Sequence, residues 1–334
     1  MILVTGGTGL LGAHLLFDLL QKESKVRAIK RANSKTDIIE KIFSFYTAKA
    51  QSLLDKIEWV EAELNDYISL ENALEGIQQV FHCAAVVSFD KNDKNLMHET
   101  NVLGTKNLVN ACLHMKVEKF LYVSSIAALG RAETNEITTE KTPWKDGDKT
   151  SAYSITKHGG ELEVWRAMAE GLNAVIINPS VILGPGDWNH GSPQLFGLIN
   201  KGLKFYTHGT NGYVYVRDVS SIMIELMNSD IHEERFIVNG EDLSYLELFN
   251  MIAKSLKKEP PTTEAKPWML AIAWRLFKLK SLFTGKSPSV TKATAHTSVQ
   301  HHTYSSEKLK NAIGFKYTAM QRGIQLTGDC FEKK

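Results

Sequence analysis

Short apolar runs alternate with helically spaced apolar residues along most of the chain. Met1-Ile-Leu-Val4 is apolar without interruption, which predicts a buried first strand. Comparable runs at 26–30, 57–61, 79–83, 120–124, 174–178 and 236–239 predict further strands. Between them, apolar residues at helical spacing predict helices over 14–21, 70–74, 103–115, 152–170, 219–227 and 245–256. Strands that alternate with helices in this way imply an α/β fold, with a doubly wound parallel sheet covered on both faces. From Pro179 the pattern loosens. Gly184-Pro-Gly-Asp, Asn189-His-Gly and Gly209-Thr-Asn-Gly212 carry the glycine, proline and asparagine of loops. The expected division is therefore a sheet domain over 1–178, completed by about 213–240, and a smaller lobe from 179–212 and 241–334.

The first strand runs straight into Thr5-Gly-Gly-Thr-Gly-Leu-Leu-Gly12, and a helical pattern follows at once. Glycines between a strand and a helix permit a tight turn and let backbone N–H groups approach a pyrophosphate at the helix N-terminus. Two registers fit. Gly7, Gly9 and Gly12 have the general G-x-G-x-x-G spacing, whereas Gly6, Gly9 and Gly12 have G-x-x-G-x-x-G.

Downstream lie Ser125 and the string Tyr153-Ser-Ile-Thr-Lys157. On a helix the lysine sits one turn beyond the phenol on the same face. An ammonium near a phenol favours the phenolate, so Lys157 is expected to lower the Tyr153 pKa and fit Tyr153 for general acid–base work. Ser124 and Ser125 could also be a strand end with a capping hydroxyl.

Composition narrows the classes. A net charge of +2 over 334 residues gives no nucleic-acid signal. Three cysteines (Cys83, Cys112, Cys330) lack C-x-x-C spacing, so a reducing compartment, the cytoplasm by default, and no metal site are expected. No signal peptide and no run long enough for a spanning helix is expected either.

The chain resembles the extended short-chain dehydrogenases/reductases, the NAD-dependent epimerase/dehydratase group. The residues that carry the resemblance, in order, are Thr5 to Gly12, Val80-Phe-His-Cys-Ala-Ala85, Asn101-Val-Leu-Gly-Thr-Lys-Asn107, Tyr122-Val-Ser-Ser125, Tyr153 to Lys157, Asn178-Pro-Ser180 with Gly184-Pro185, and Val214-Tyr-Val-Arg-Asp218. It is most similar to the dihydroflavonol 4-reductase and 3β-hydroxysteroid dehydrogenase branch. The resemblance implies Tyr153 as general acid/base, Lys157 on the nicotinamide ribose, Ser125 on the substrate oxygen and Asn101 in a proton relay beneath. It further implies a cofactor held by Gly6, Thr8, Gly9, Leu10, Leu11, Gly12, Leu64, Ala84, Ala85, Val123, Pro179 and Ser180. Glu63 stands where the group usually has Asp against the adenine. Enzymes of this type also often form homodimers.

An acidic residue about 20 residues past the glycines selects NAD by binding the ribose 2′-OH. This chain has Ile29-Lys30-Arg31-Ala-Asn-Ser34 there, so Lys30 and Arg31 point to the 2′-phosphate of NADP(H), with NAD(H) the alternative. Asn211 and Gly212 replace the Arg-Asp that anchors a sugar diphosphate, and Arg217 is expected to pair with a nearby carboxylate. No acidic pair follows Ser125, which argues against dehydration.

The expected activity is reversible reduction of a ketone or aldehyde on a hydrophobic small molecule. The alternatives are a sugar or nucleotide-sugar epimerase and a non-catalytic NADP(H) redox sensor. Trp188, Phe196, Phe205, Tyr206, Trp268, Trp274 and Phe277 either line an apolar substrate pocket or form the core of the lobe. Pro267-Trp-Met-Leu-Ala-Ile-Ala-Trp-Arg-Leu-Phe-Lys-Leu-Lys280 reads as helical core, a lid, a dimer contact or a membrane-surface contact.

Overall fold

A computed structural model describes residues 1–88, 90–130, 136–145, 147, 150–284 and 291–333. Phe89, the Ser287-Pro-Ser-Val stretch and the side chains of Phe277, Lys278 and Lys280 lie outside the described residues.

Seven parallel strands form the central sheet. They are β1 (Ile2–Thr5), β2 (Val26–Lys30), β3 (Ile57–Glu61), β4 (Gln79–His82), β5 (Lys119–Val123), β6 (Ala174–Pro179) and a last strand, Glu234–Val238. Across the sheet the order is Glu234–Val238, β6, β5, β4, β1, β2, β3. Every residue of β5 and β6 is buried, which explains why these strands read as continuous apolar runs. Consecutive strand residues serve opposite faces. Val4, Phe81, Leu121 and Val175 pack in one core, while Leu3, Val80, Phe120 and Ile176 pack in the other.

The chain lays β2 and β3 on one side of β1 and then crosses to place β4 on the other. Loops leaving the C-terminal ends of β1 and β4 diverge at this reversal, and a ligand crevice opens there. The residues that follow β1, β4, β5 and β6 are the glycine string, Cys83 to Ala85, Ser124 with Ser125, and Ser180.

The predicted strands at 26–30 and 57–61 match the observed ones, and the other strand ends differ by one or two residues. Several helices went unpredicted, among them Asp37–Tyr46, Ala50–Leu54, Gln194–Asn200, Glu307–Ile313 and Met320–Glu332. The loop expected at Gly209 to Gly212 is a correction. Thr210–Tyr215 is a strand, antiparallel to Glu241–Ser244 and parallel to Val181–Leu183. Its glycines serve close approach rather than turning. A Cβ on Gly212 would collide with the Asn239 side chain, and one on Gly209 with the Ser298 carbonyl.

Candidate active site

The glycine string decides between its two registers by what a side chain would strike. Gly6 has φ +69°, and a Cβ there would lie 2.6 Å from the Ala84 nitrogen. A Cβ on Gly12 would overlap the Gly6 carbonyl oxygen. Gly9 donates its N–H to that oxygen at 2.9 Å and forms the N-cap of helix α1 (Leu10–Leu19). Gly7 faces the movable end of Leu16 instead. The G-x-x-G-x-x-G register therefore carries the backbone demands. Because α1 follows β1 directly, its N-terminus opens on the crevice, with Thr8, Leu10 and Leu11 around it. Ala84 and Ala85 follow β4, and the Thr5 hydroxyl accepts the Ala84 N–H at 3.2 Å. A cradle closed to a Cβ at Gly6 and Gly12, at a helix N-terminus, fits a dinucleotide pyrophosphate.

Lys30 ends β2 and pairs with Glu61, so it stands on the β2–β3 side of the glycine turn. Arg31 is exposed, and its backbone N–H is held by the Ser34 hydroxyl at 3.1 Å. Glu63 is exposed beyond β3, and the Leu64 carbonyl accepts from Asn107 at 3.0 Å. Pro179 ends β6, and Ser180 is tied through its N–H to the Val238 carbonyl at 3.0 Å.

The two serines after β5 divide their tasks. Ser124 donates to the buried Glu161 carboxylate at 2.7 Å. Ser125 accepts the Ala127 N–H at 3.1 Å, and its hydroxyl acts on the Tyr153 phenol, lowering the phenol's pKa against the rise from burial. Ser125 is thus both a capping hydroxyl and the partner of Tyr153. Tyr153 and Lys157 lie in the helix Ala152–Ala169, whose N-cap is Ser151.

Lys157 departs from expectation. Its ammonium donates to the Val123 carbonyl at 2.8 Å and to the Tyr122 hydroxyl at 3.2 Å, and stands 4.6 Å from the Tyr122 ring centre. The Tyr153 pKa is raised by burial, with the Ser125 hydrogen bond opposing, rather than lowered. Burial pushes Lys157 down to about 8, against the pull of Glu161 and Cys83.

Asn101 is buried within a wider π-helical turn, Glu99–Leu103. Its amide brackets Val86, accepting from the N–H at 2.8 Å and donating to the carbonyl at 2.9 Å, and donates to Thr156 at 3.1 Å.

Glu161 went unremarked in the sequence. It binds Ser124, Asn178 at 2.8 Å and Arg235 at 2.8 Å, pinning the ends of β5 and β6 to the last strand. Its place one turn past Lys157 on the same helical stripe was the available signal.

Arg217 pairs with Asp18 at 2.5 Å and lies 5.1 and 4.7 Å from the Phe17 and Tyr46 rings, so it is committed away from any diphosphate. The aromatic residues split. Trp188 and Phe196 are buried core of the lobe, whereas Phe205 and Trp268 are exposed, and Trp274 lies under Arg275 at 4.5 Å. In the helix Pro267–Thr284, none of the side chains at 268–276 is buried. No cluster able to hold a metal and no helix long and apolar enough to cross a membrane occurs among the described residues.

Residues 2–239 match the model of the NAD dependent epimerase/dehydratase family. The chain belongs to this family. It is an enzyme of the extended short-chain dehydrogenase/reductase type, whose members are NAD(P)-dependent oxidoreductases and epimerases. A Synechocystis sp. protein named, provisionally, as a dihydroflavonol 4-reductase is 27% identical over 96% of this chain and 91% of its own. Sterol demethylase protein B of Methylococcus capsulatus is 31% identical over 72% of this chain and 69% of its own. Among solved structures, gox2253 is 27% identical with a TM-score of 0.81, covering 100% of this chain and 98% of its own. The Thermus thermophilus UDP-glucose 4-epimerase solved with NAD has a TM-score of 0.75 at 24% identity, covers 99% of this chain and 98% of its own, and shares the fold.

Proposed function

We propose that the protein is an NADP(H)-dependent reductase, or the reverse dehydrogenase, for a ketone or aldehyde on a hydrophobic small molecule. The observation that carries this reading is the placing of Ser125 and Tyr153 together beside the crevice, where the serine hydroxyl lowers the phenol's pKa against the rise from burial, with Ser124 diverted to Glu161. A carbonyl oxygen that enters between the Ser125 hydroxyl and the Tyr153 phenol meets two donors. NADPH, held by the glycine cradle, would supply a hydride to the carbonyl carbon. Tyr153 gives its proton to the oxygen as negative charge gathers there, and Ser125 holds that oxygen in place. The phenolate that remains is balanced by the Lys157 ammonium one turn away, until a proton returns from solvent.

The glycine cradle with Ala84, Ala85, Pro179 and Ser180 would hold the cofactor, and residues 179–212 and 241–334 would form the substrate lobe. Lys30 and Arg31, with no carboxylate at the end of β2, favour the 2′-phosphate. The apolar substrate class rests on the exposed Phe205 and Trp268 and on the sterol and dihydroflavonol in the relatives' names. Commitment of Arg217 to Asp18 tells against a sugar diphosphate. A cytoplasmic homodimer belongs to the same reading.

Fluorescence titration with NADPH and NADH, followed by a panel of apolar ketones, aldehydes and sugar nucleotides, tests it. The expected result is tighter NADPH binding, NADPH oxidation by an apolar carbonyl, and about tenfold weaker NADPH binding in Arg31→Asp. Turnover of a sugar nucleotide alone, at constant NADPH, would replace this reading with the epimerase.

A further inference from the structure

The groups behind Lys157 form a closed set in which every proton can be assigned. Thr105 donates its hydroxyl proton to the Asn101 carbonyl at 2.8 Å. It can therefore only accept from its other partner, His82 Nε2 at 3.0 Å. His82 is buried and neutral, because burial beside Lys157 pushes it down to about 3. With its one proton on Nε2, its Nδ1 must accept from the Thr5 hydroxyl at 2.7 Å, and Thr5 in turn accepts the Ala84 N–H. Tyr122 accepts from Lys157 at 3.2 Å, which leaves its own proton for another neighbour, and Thr105 is the hydroxyl that acts on it, lowering its pKa against the rise from burial. Gly160 allows this closeness. A Cβ there would overlap the Asn101 carbonyl and lie 2.6 Å from the Tyr122 hydroxyl.

We propose that Tyr122 is a positioning residue for Lys157, holding its ammonium by the phenol oxygen and the ring face, with Thr105 and His82 fixing the direction of the phenol proton. This rests on Lys157 serving the reaction proposed above. The bonds to Val123 and Tyr122 use two of the three ammonium protons, and the third is left for the reacting side of the helix. The titratable groups facing Lys157 are Tyr122 on β5, His82 on β4, Cys83 just beyond it, and Glu161 on its own helix. Burial holds the Cys83 thiol at about 12, Glu161 raises the Lys157 pKa, and Tyr122 supplies the ammonium with an acceptor.

The test is the pH–rate profile of Tyr122→Phe in the full-length enzyme, beside Thr105→Val, Thr105→Ser and Lys157→Met. Removing the phenol oxygen takes an acceptor from the ammonium, so the Lys157 pKa falls further. The expected result is a kcat roughly 10–100-fold lower, an alkaline limb shifted down by about one pH unit, and little change in KM. Thr105→Val should reproduce the shift, since it releases the phenol proton, and Thr105→Ser should restore the wild-type profile.

A role confined to packing would change the melting temperature and the amount of active protein but leave the limb in place. That outcome in Tyr122→Phe, or in Thr105→Val should Tyr122→Phe not fold, overturns the inference. If Lys157→Met itself retains full turnover, the proposed reaction fails instead, and the two failures are told apart.

Discussion

The crevice side of the sheet and the helix Pro267–Thr284 are both rich in apolar residues, and they use them in opposite ways. Around Tyr153 and Lys157 the apolar strands close over a set of polar groups that satisfy one another: Glu161 with Ser124, Asn178 and Arg235, and His82 with Thr5 and Thr105. In the helix, Trp268, Ile272 and Leu276 stand at four-residue spacing and are 62%, 50% and 60% exposed. Burial fixes a polar group's partner and its ionisation state, because an unpaired buried group is costly. An exposed apolar stripe fixes neither. Hence the crevice can be argued atom by atom, while the helix shows only a surface.

Four substitutions or conditions sharpen this contrast, from the largest effect downward. Tyr153→Phe keeps the ring and removes the proton, so steady-state turnover should fall roughly 10²–10⁴-fold while NADPH affinity is retained. Glu161→Gln leaves the Arg235 guanidinium without its carboxylate, and urea denaturation should record a loss of about 3 kcal/mol or more.

Acid should loosen the buried set through His82. Its folded pKa is depressed to about 3 from 6.5, so as pH falls the unfolded chain takes up the proton first. Stability present above pH 6.5 is therefore lost on the way to pH 3, by about 2 kcal/mol from His82 between pH 7 and pH 5. His82→Gln should flatten that part of the stability curve measured by urea denaturation. His14, depressed to about 4, should still slope in the same direction. Last, Trp268→Ala should change unfolding free energy by no more than about 0.5 kcal/mol. A larger loss would mean the stripe packs against something after all.

The sequence made legible what backbone sterics and periodicity dictate. The parallel sheet follows from apolar runs covered on both faces, and Gly6 and Gly12 stand out because no other residue fits their spacing at a strand–helix turn. Tyr153 and Lys157 were visible through their four-residue separation. What escaped detection depends on the third dimension. Ser124 and Ser125 are adjacent letters, and only Glu161 tells them apart. The expected lowering of the Tyr153 pKa assumed an ammonium turned toward the phenol, whereas Tyr122 and the Val123 carbonyl hold it. Gly209 and Gly212 read as turn residues because the sequence hides which neighbour presses on them. Trp188 and Phe196 could not be separated from Phe205 and Trp268 by residue type, since only burial does that.

The most direct test of the proposed reaction follows the hydride itself. NADPH carrying deuterium at the nicotinamide C4 position would be incubated with the enzyme and an apolar ketone, and the product examined by mass spectrometry and NMR. The reductase reading predicts one deuterium on the carbinol carbon for each NADPH oxidised, and none with Tyr153→Phe at matched times. Apolar ketones left unlabelled and NADPH left unoxidised, with a sugar nucleotide inverted at one carbon, would contradict it.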